Sequence, residues 1–385
     1  MTKVNPGRLI IAAILAIFMY GVVAAMFGTI MPSWKLTNEQ SANIAFAQAI
    51  GLIIASLSAG PIIDNKGKKL ALVTGLGLIA LALFGLAAVS GYDLYMAFTL
   101  LLGLGGGIIV TAANALVADI NEEKRSSTLN LLNLFFGLGG MATPFIAGNL
   151  LDNDVQRICY AGAAFATLTF LVHLTTTMPP PSGERGFKMS EAGALISSPT
   201  LWLLSLFLFL YVAAEVGVWN WLGKYLISTG ITQSEANTIL SLGFALGLLL
   251  GRVAGSRILI HVAPATVTLA SAVLMAATTY MMLHANGNTT VVWISVFCGG
   301  LAMAPVFPTT LGMTGDAFPR ATATAMGIVI TFGWIGLAVS SAIIGAIGGS
   351  EPTKLGSALM VLPVASVLMV LVNLVLRPML AKAKA

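Results

Sequence analysis

The sequence predicts an all-α integral membrane protein with twelve transmembrane helices in two six-helix halves. Three observations predict it. Of 385 residues, 57% are hydrophobic and 9% charged, with a mean hydropathy of +0.94, whereas water-soluble folds carry about 25% charged residues. Twelve apolar runs are long enough to cross a hydrocarbon core about 30 Å thick. One longer polar break near the middle divides six runs from six.

The runs fall at 8–31, 41–63, 70–90, 94–118, 128–149, 158–177, 200–226, 236–260, 264–284, 290–312, 321–347 and 355–376. The first resembles a signal peptide in its basic start, but it is long and has no small-residue cleavage site, so it reads as a span. The central break, from Met178 to Pro199, holds Glu184, Arg185, Lys188 and Glu191. The expected domains are therefore residues 1–178, a cytoplasmic linker at 179–199, and 200–385. Lys and Arg set the orientation. With the N-terminus inside, Lys3, Arg8, Lys66, Lys68, Lys69, Lys124, Arg125, Arg185, Lys188, Arg252, Arg257, Arg320, Arg377, Lys382 and Lys384 are cytoplasmic. That leaves Lys35, Arg157, Lys224 and Lys354 on the other side. Both termini are expected in the cytoplasm, across a plasma membrane of the bacterial inner-membrane kind.

The halves also echo each other. Asp119, Gly139 and Gly148 recur as Asp316, Gly336 and Gly345, each 197 residues on. Parallel repeats of this kind place a ligand site at their interface near the membrane midplane.

Polar side chains at membrane depth are few, and Glu215 stands out. It lies within Tyr211-Val-Ala-Ala-Glu215-Val-Gly-Val-Trp219-Asn220 in the seventh span. An acid at that depth costs about 2.5–3.5 kcal/mol on insertion scales and normally faces protein or a wet cavity. Tyr211, Glu215, Trp219 and Leu222 share a helix face. Two uses are open: a ligand or coupling group, or a neutral structural acid bonded to a neighbouring helix. Gln48, Thr111, Asn114, Asn130, Asn133 and Asn220 supply amide and hydroxyl groups suited to hydroxyl-rich ligands, or else glue between helices. Trp293, Phe297, Phe307 and Trp334 would stack on a sugar's apolar face or serve as packing.

Several classes are excluded. The +5 net charge is scattered rather than clustered, so no nucleic-acid partner is expected. Cys159 and Cys298 suggest neither a disulfide framework nor a metal site, and His173, His261 and His284 lack ligand spacing. With no nucleotide-binding loop and no catalytic triad, the chain reads as neither a pump driven by ATP nor an enzyme. No cofactor is expected beyond a coupling proton or sodium ion. The expected partners are a small-molecule substrate and the bilayer, with the monomer as the working unit.

Gly60-Pro-Ile-Ile-Asp64-Asn-Lys-Gly67-Lys68-Lys69 resembles the loop 2–3 signature of the major facilitator superfamily. Gly60 would let helices approach closely, Gly67 would supply a tight turn, and Asp64 would face the positive start of the eleventh span near Pro319. The resemblance implies the major facilitator fold and a role for this contact in holding the cytoplasmic side shut. Further stretches carry a closer resemblance, to the fucose/proton symporter and glucose/galactose porter branch. They are Tyr211 to Tyr225, Gly247-Leu-Leu-Leu-Gly251-Arg252-Val-Ala-Gly255-Ser-Arg257 and Asp316 to Gly327. That branch implies coupling acids in the first and fourth spans. Here the first span, Leu9–Ile30, has no acid, and the fourth has Asp119 at its cytoplasmic end. Glu215 is then the acid best placed for coupling. The resemblance implies a secondary transporter of a small neutral hydroxylated solute such as a sugar. The rivals are an efflux carrier for lipophilic compounds, left open by Gly139-Gly-Met-Ala-Thr-Pro144, and a non-transporting receptor or scaffold.

Overall fold

A computed structural model describes residues 6–34, 36, 38–179, 189–285, 287–348 and 354–384. It is helical, with no strand among the described residues. Among the described residues twelve helices are long and apolar enough to cross a membrane: α1 (Pro6–Ile30), α2 (Asn38–Lys66), α3 (Lys68–Ala88), α4 (Tyr92–Ile120), α5 (Arg125–Asn149) and α6 (Val155–Thr175) precede the central break. After it come α7 (Pro199–Ser228), α8 (Glu235–Ile258), α9 (Pro264–Leu283), α10 (Thr289–Ala317), α11 (Thr322–Gly348) and α12 (Leu355–Ala381). Each expected run corresponds to one helix. Of the central break, Glu184, Arg185 and Lys188 lie outside the described residues, and a short helix, Met189–Ile196, precedes α7.

Local chemistry sets the ends. The side chains of Asp154, Thr232 and Asn288 accept bonds from the backbone N–H three residues on, opening α6, the approach to α8, and α10. Gly67 turns the chain between α2 and α3 at φ 92°, a conformation that only glycine adopts without strain. The tenth helix breaks between Met303 and Val306, where Pro305 has no N–H to continue the ladder.

Contacts divide the chain into two compact units. The first runs to Glu122 and adds Leu132–Leu195 and Phe318–Thr331; the second comprises Glu123–Leu131, Ile196–Ala317 and everything from Phe332 on. Each unit therefore includes a segment from the other half of the sequence, the opening turns of α5 or of α11.

Inside each unit, glycines let helix backbones touch. A Cβ at Gly139 on α5 would collide with the Phe18 carbonyl oxygen of α1, and one at Gly336 on α11 with the Phe209 carbonyl oxygen of α7. The repeat in the sequence thus marks the same close contact made twice. In the first unit, Gly103 of α4 lies against the Gln48 carbonyl of α2, and Gly107 against that of Leu52. In the second, Gly247 and Gly251 of α8 lie against the Phe297 and Leu301 carbonyls of α10. Small residues four apart are the usual means of close packing where lipid supplies no hydrophobic drive.

Overpacking costs about 1–3 kcal/mol. Gly139→Ile and Gly336→Ile should each lower the melting temperature in detergent by several degrees. Gly148→Ala, whose nearest neighbour would sit at 3.8 Å, should not. Three equal melting temperatures would refute close packing as the cause of the repeat.

Candidate functional site

Three polar clusters stand out, one at the Lys66-bearing end of the first unit and two in the second. In the first cluster, the Asp64 carboxylate near the end of α2 meets the start of α11. It accepts bonds from the backbone N–H of Ala323 at 3.2 Å and of Thr324 at 2.8 Å, and from the Thr324 hydroxyl at 2.6 Å. These N–H groups belong to the first turn of α11, which has no helical partner for them. Asp64 therefore acts as an N-cap supplied by another helix, with its charge at the positive end of the dipole. Gly60 makes this approach feasible, since a Cβ there would sit 2.5 Å from the Thr324 Cα. Lys68 is buried and pairs with Asp119 at 2.7 Å, while Lys69 is half-buried.

The second cluster surrounds the start of α5. Arg125 pairs with Asp316 of α10 at 2.6 Å, both largely buried. The Ser127 hydroxyl donates to the Ser256 carbonyl oxygen at 2.6 Å, and Asn130 Nδ2 donates to the Thr309 hydroxyl at 3.0 Å. Asp119 and Asp316, equivalent in the repeat, thus each hold a buried cation. Removing one partner of a buried pair typically costs about 3–5 kcal/mol.

The third cluster lies in α7 and α8. Tyr211 is fully buried, Glu215 half-buried, and Trp219 exposed, while Leu222 is buried again. Glu215 stands one turn beyond Tyr211, whose buried hydroxyl makes no hydrogen bond among the described residues. Arg252 of α8 is buried. Near its start α8 carries a widened π-type turn, Ile239–Ala245, a feature frequent at functional sites. In this turn Phe244 meets Trp219 edge-on, with ring centroids 5.1 Å apart. Trp293 lies close to Gly243 of the same turn, and Asn220 is exposed.

Asn114 and Asn133 of the first unit are bonded to each other. Asn133 Nδ2 donates to Asn114 Oδ1 at 2.9 Å, and Asn114 Nδ2 to the Val110 carbonyl at 2.7 Å, with both residues buried. Thr111 donates to the carbonyl of Gly107 in its own helix. Gln48 is half-buried on α2. Phe297, Phe307 and Trp334 are half-buried in the second unit. Gln48, Thr111, Asn114 and Asn133 therefore belong to one unit, and Tyr211, Glu215, Trp219, Asn220, Trp293, Phe297 and Trp334 to the other.

The family profile of the Major Facilitator Superfamily matches residues 9–341. The chain belongs to that superfamily. Its members are membrane transporters rather than enzymes. Among relatives of this superfamily member, the glucose/galactose transporter of Brucella abortus is 25% identical over 349 residues, covering 84% of each chain. Among solved structures, the Escherichia coli fucose:proton symporter aligns with a TM-score of 0.82 at 19% identity, over 94% of this chain and 97% of that one. The proton:xylose symporter XylE aligns at 0.79 and 13% identity, over 95% and 94%. These structural likenesses carry the fold.

Arg252, counted among the cytoplasmic charges for orientation, lies within the expected eighth run, inside α8, and is 7% exposed. Arg125 and Lys68, likewise counted for orientation, are buried in ion pairs. Its burial goes with the Gly247, Gly251 and Gly255 stripe on the same helix, which packs against α10.

Asp64→Asn keeps the shape of the cap but loses the charge, worth about 0.3–1 kcal/mol when exposed and up to about 2 when partly buried. Ala325 is fully buried behind this cap. In a Cys159→Ala, Cys298→Ala background, a cysteine at 325 should react several-fold faster with a maleimide once Asp64 is Asn. An unchanged rate would show that the cap does not hold α11 in place.

Proposed function

We propose that this superfamily member is a secondary active transporter of a small neutral hydroxylated solute, of the sugar class, coupled to a proton or sodium ion. The observation that carries the reading is Glu215: a carboxyl roughly 24 Å along α7 from its first residue, beside a buried phenol, with exposed Trp219 and Asn220 one turn on. Acids at such depth persist where an ion or substrate uses them. An indole and an amide in succession suit the apolar face and the hydroxyls of a sugar. The glucose/galactose transporter among its relatives, and the fucose:proton and proton:xylose symporters among its structural neighbours, support the same solute class and coupling.

In this reading the two halves of the sequence, 1–178 and 200–385, work as alternating-access bundles within a monomer. The Asp64 cap with Gly60, Gly67, Lys68 and Lys69, together with the Arg125–Asp316 pair, forms the closure on the cytoplasmic side. The membrane is the bacterial inner membrane, with both termini inside. Reporters fused after Lys3 and after Lys384 should both report cytoplasm, and one after Gly287 the opposite side; termini on opposite sides would overturn the orientation.

One observation favours the efflux reading. An apolar cavity of about 280 Å³ lies among α1, α5 and α6 of the first unit, lined by residues such as Phe18, Met26, Ile146 and Phe165. Counterflow in proteoliposomes against sugars and lipophilic dyes separates the two. Sugar exchange without dye exchange is the expected result.

Glu215→Gln keeps shape and hydrogen bonding but removes the charge. As the coupling residue, it should leave counterflow largely intact and abolish accumulation driven by an ion gradient. As a substrate contact, it should weaken binding by about 1–3 kcal/mol. A glutamine variant that accumulates solute with wild-type affinity would end both roles.

A further inference from the structure

The first unit carries a cavity that the proposed transport cycle does not use. It holds about 280 Å³ among α1, α5 and α6, with Phe18, Met26 and Phe165 in its walls. Among the lining residues only Thr143 has a polar side chain, and its hydroxyl is spent on the Gly139 carbonyl oxygen at 2.9 Å. The walls therefore offer no polar anchor, and a hydroxyl-rich solute would lose its own hydrogen bonds on entering. Ile146 and Ala161 line the cavity and are also exposed, as are Phe145 and Leu150 next to them. Its rim is thus continuous with apolar surface that hydrocarbon would cover.

Charge stands at one end of this cavity. Leu151 and Ile158 line it, and between them the chain turns from α5 into α6. The Asn153 N–H bonds back to the carbonyl oxygen of Ala147, another wall residue, at 2.8 Å, and the Asp154 N–H to that of Leu151 at 2.9 Å. These bonds hold the turn beside the cavity. In it Asp152 pairs with Arg157 at 2.7 Å, the two side chains 79% and 62% exposed. An exposed pair of this kind holds weakly, so each charge remains available to an outside partner. The Asp154 carboxylate is already engaged, accepting the Arg157 backbone N–H as the cap of α6.

We propose that this cavity holds one acyl chain of a phospholipid whose headgroup carries a primary ammonium, with the ammonium on Asp152 and the phosphate on Arg157. In a bilayer an apolar chain gains nothing by leaving other chains, so burial alone does not select it. A void in hydrocarbon forfeits dispersion contacts, however, and the chain beside it fills it. Selectivity then comes from the mouth. One anion and one cation side by side match a zwitterion whose ammonium has N–H donors. A trimethylated headgroup has no such donors, and an anionic one brings like charge to Asp152. The occupant is a resident that stays while solute is carried, wedged beside the Phe18–Gly139 contact of α1 with α5. The proposal stands apart from the role of Glu215 and from the identity of the solute.

The test is native mass spectrometry of the purified full chain, mixed with phosphatidylethanolamine, phosphatidylcholine and phosphatidylglycerol of identical chains. Wild type should retain the ethanolamine lipid about fivefold over the other two, the scale of an exposed ion pair at its strongest. Asp152→Asn should abolish that preference. Ala161→Phe, which fills the cavity from its exposed side, should abolish it too, with both headgroup partners intact. If that variant does not fold, Ile146→Trp on the other exposed wall takes its place. Equal retention of the three lipids by wild type would overturn the proposal, and so would a preference that survives either the filled cavity or Asp152→Asn. Counterflow of a lipophilic amine dye that is lost in the filled variant would also overturn it, since the cavity would then hold cargo.

Discussion

The structure depends on one constraint, that lipid supplies neither hydrogen bonds nor a hydrophobic force between helices. In hydrocarbon an exposed apolar side chain is as stable as a buried one, so association comes from close contact and satisfied polar groups. Both devices recur throughout. Glycines bring the backbones of α1 and α5, α2 and α4, α7 and α11, and α8 and α10 into contact. Many polar side chains at depth bond to their own helix, as Thr111 and Thr310 do, or across to another, as Asn133 does to Asn114 and Asn373 to Thr268.

Charges follow the same logic at higher cost. A helix end in a membrane protein must still satisfy its first N–H groups. For α11 the acceptor comes from α2, as the Asp64 carboxylate. A cap supplied by a separate helix can detach, whereas one from the preceding residue moves with its helix. In the proposed function, that difference suits Asp64 to a closure that opens, with Gly60 allowing the close approach. The Arg125–Asp316 and Lys68–Asp119 pairs bury full charges in the same way.

The fold was legible because its signals are additive along the chain. Twelve runs of apolar residues needed no partner to be recognised. Asp64 was legible too, because an acid between two glycines at a helix end points to a helix dipole. The site was less so. Asn114 and Asn133 read either as ligand groups or as glue between helices, because nothing in the linear sequence shows that they face each other. Arg252 counted as an orientation charge because a cation six residues from the end of its helix resembles a topology signal. Its burial follows from the glycine stripe around it, which is a property of the α8–α10 contact rather than of the arginine.

The internal repeat explains where the intramembrane acid lies. The Phe18–Gly139 contact of α1 with α5 has its counterpart in the Phe209–Gly336 contact of α7 with α11. By these contacts α7 is the equivalent of α1. The branch of the superfamily that this chain resembles is expected to carry a coupling acid in its first span, where this chain has none. The matching position, as far beyond Phe18 as Glu215 is beyond Phe209, is Ala24. The acid therefore stands on the symmetry-related helix rather than on an unrelated one. In a transporter built from two equivalent bundles, an ion site can pass from one repeat to the other without changing the scaffold.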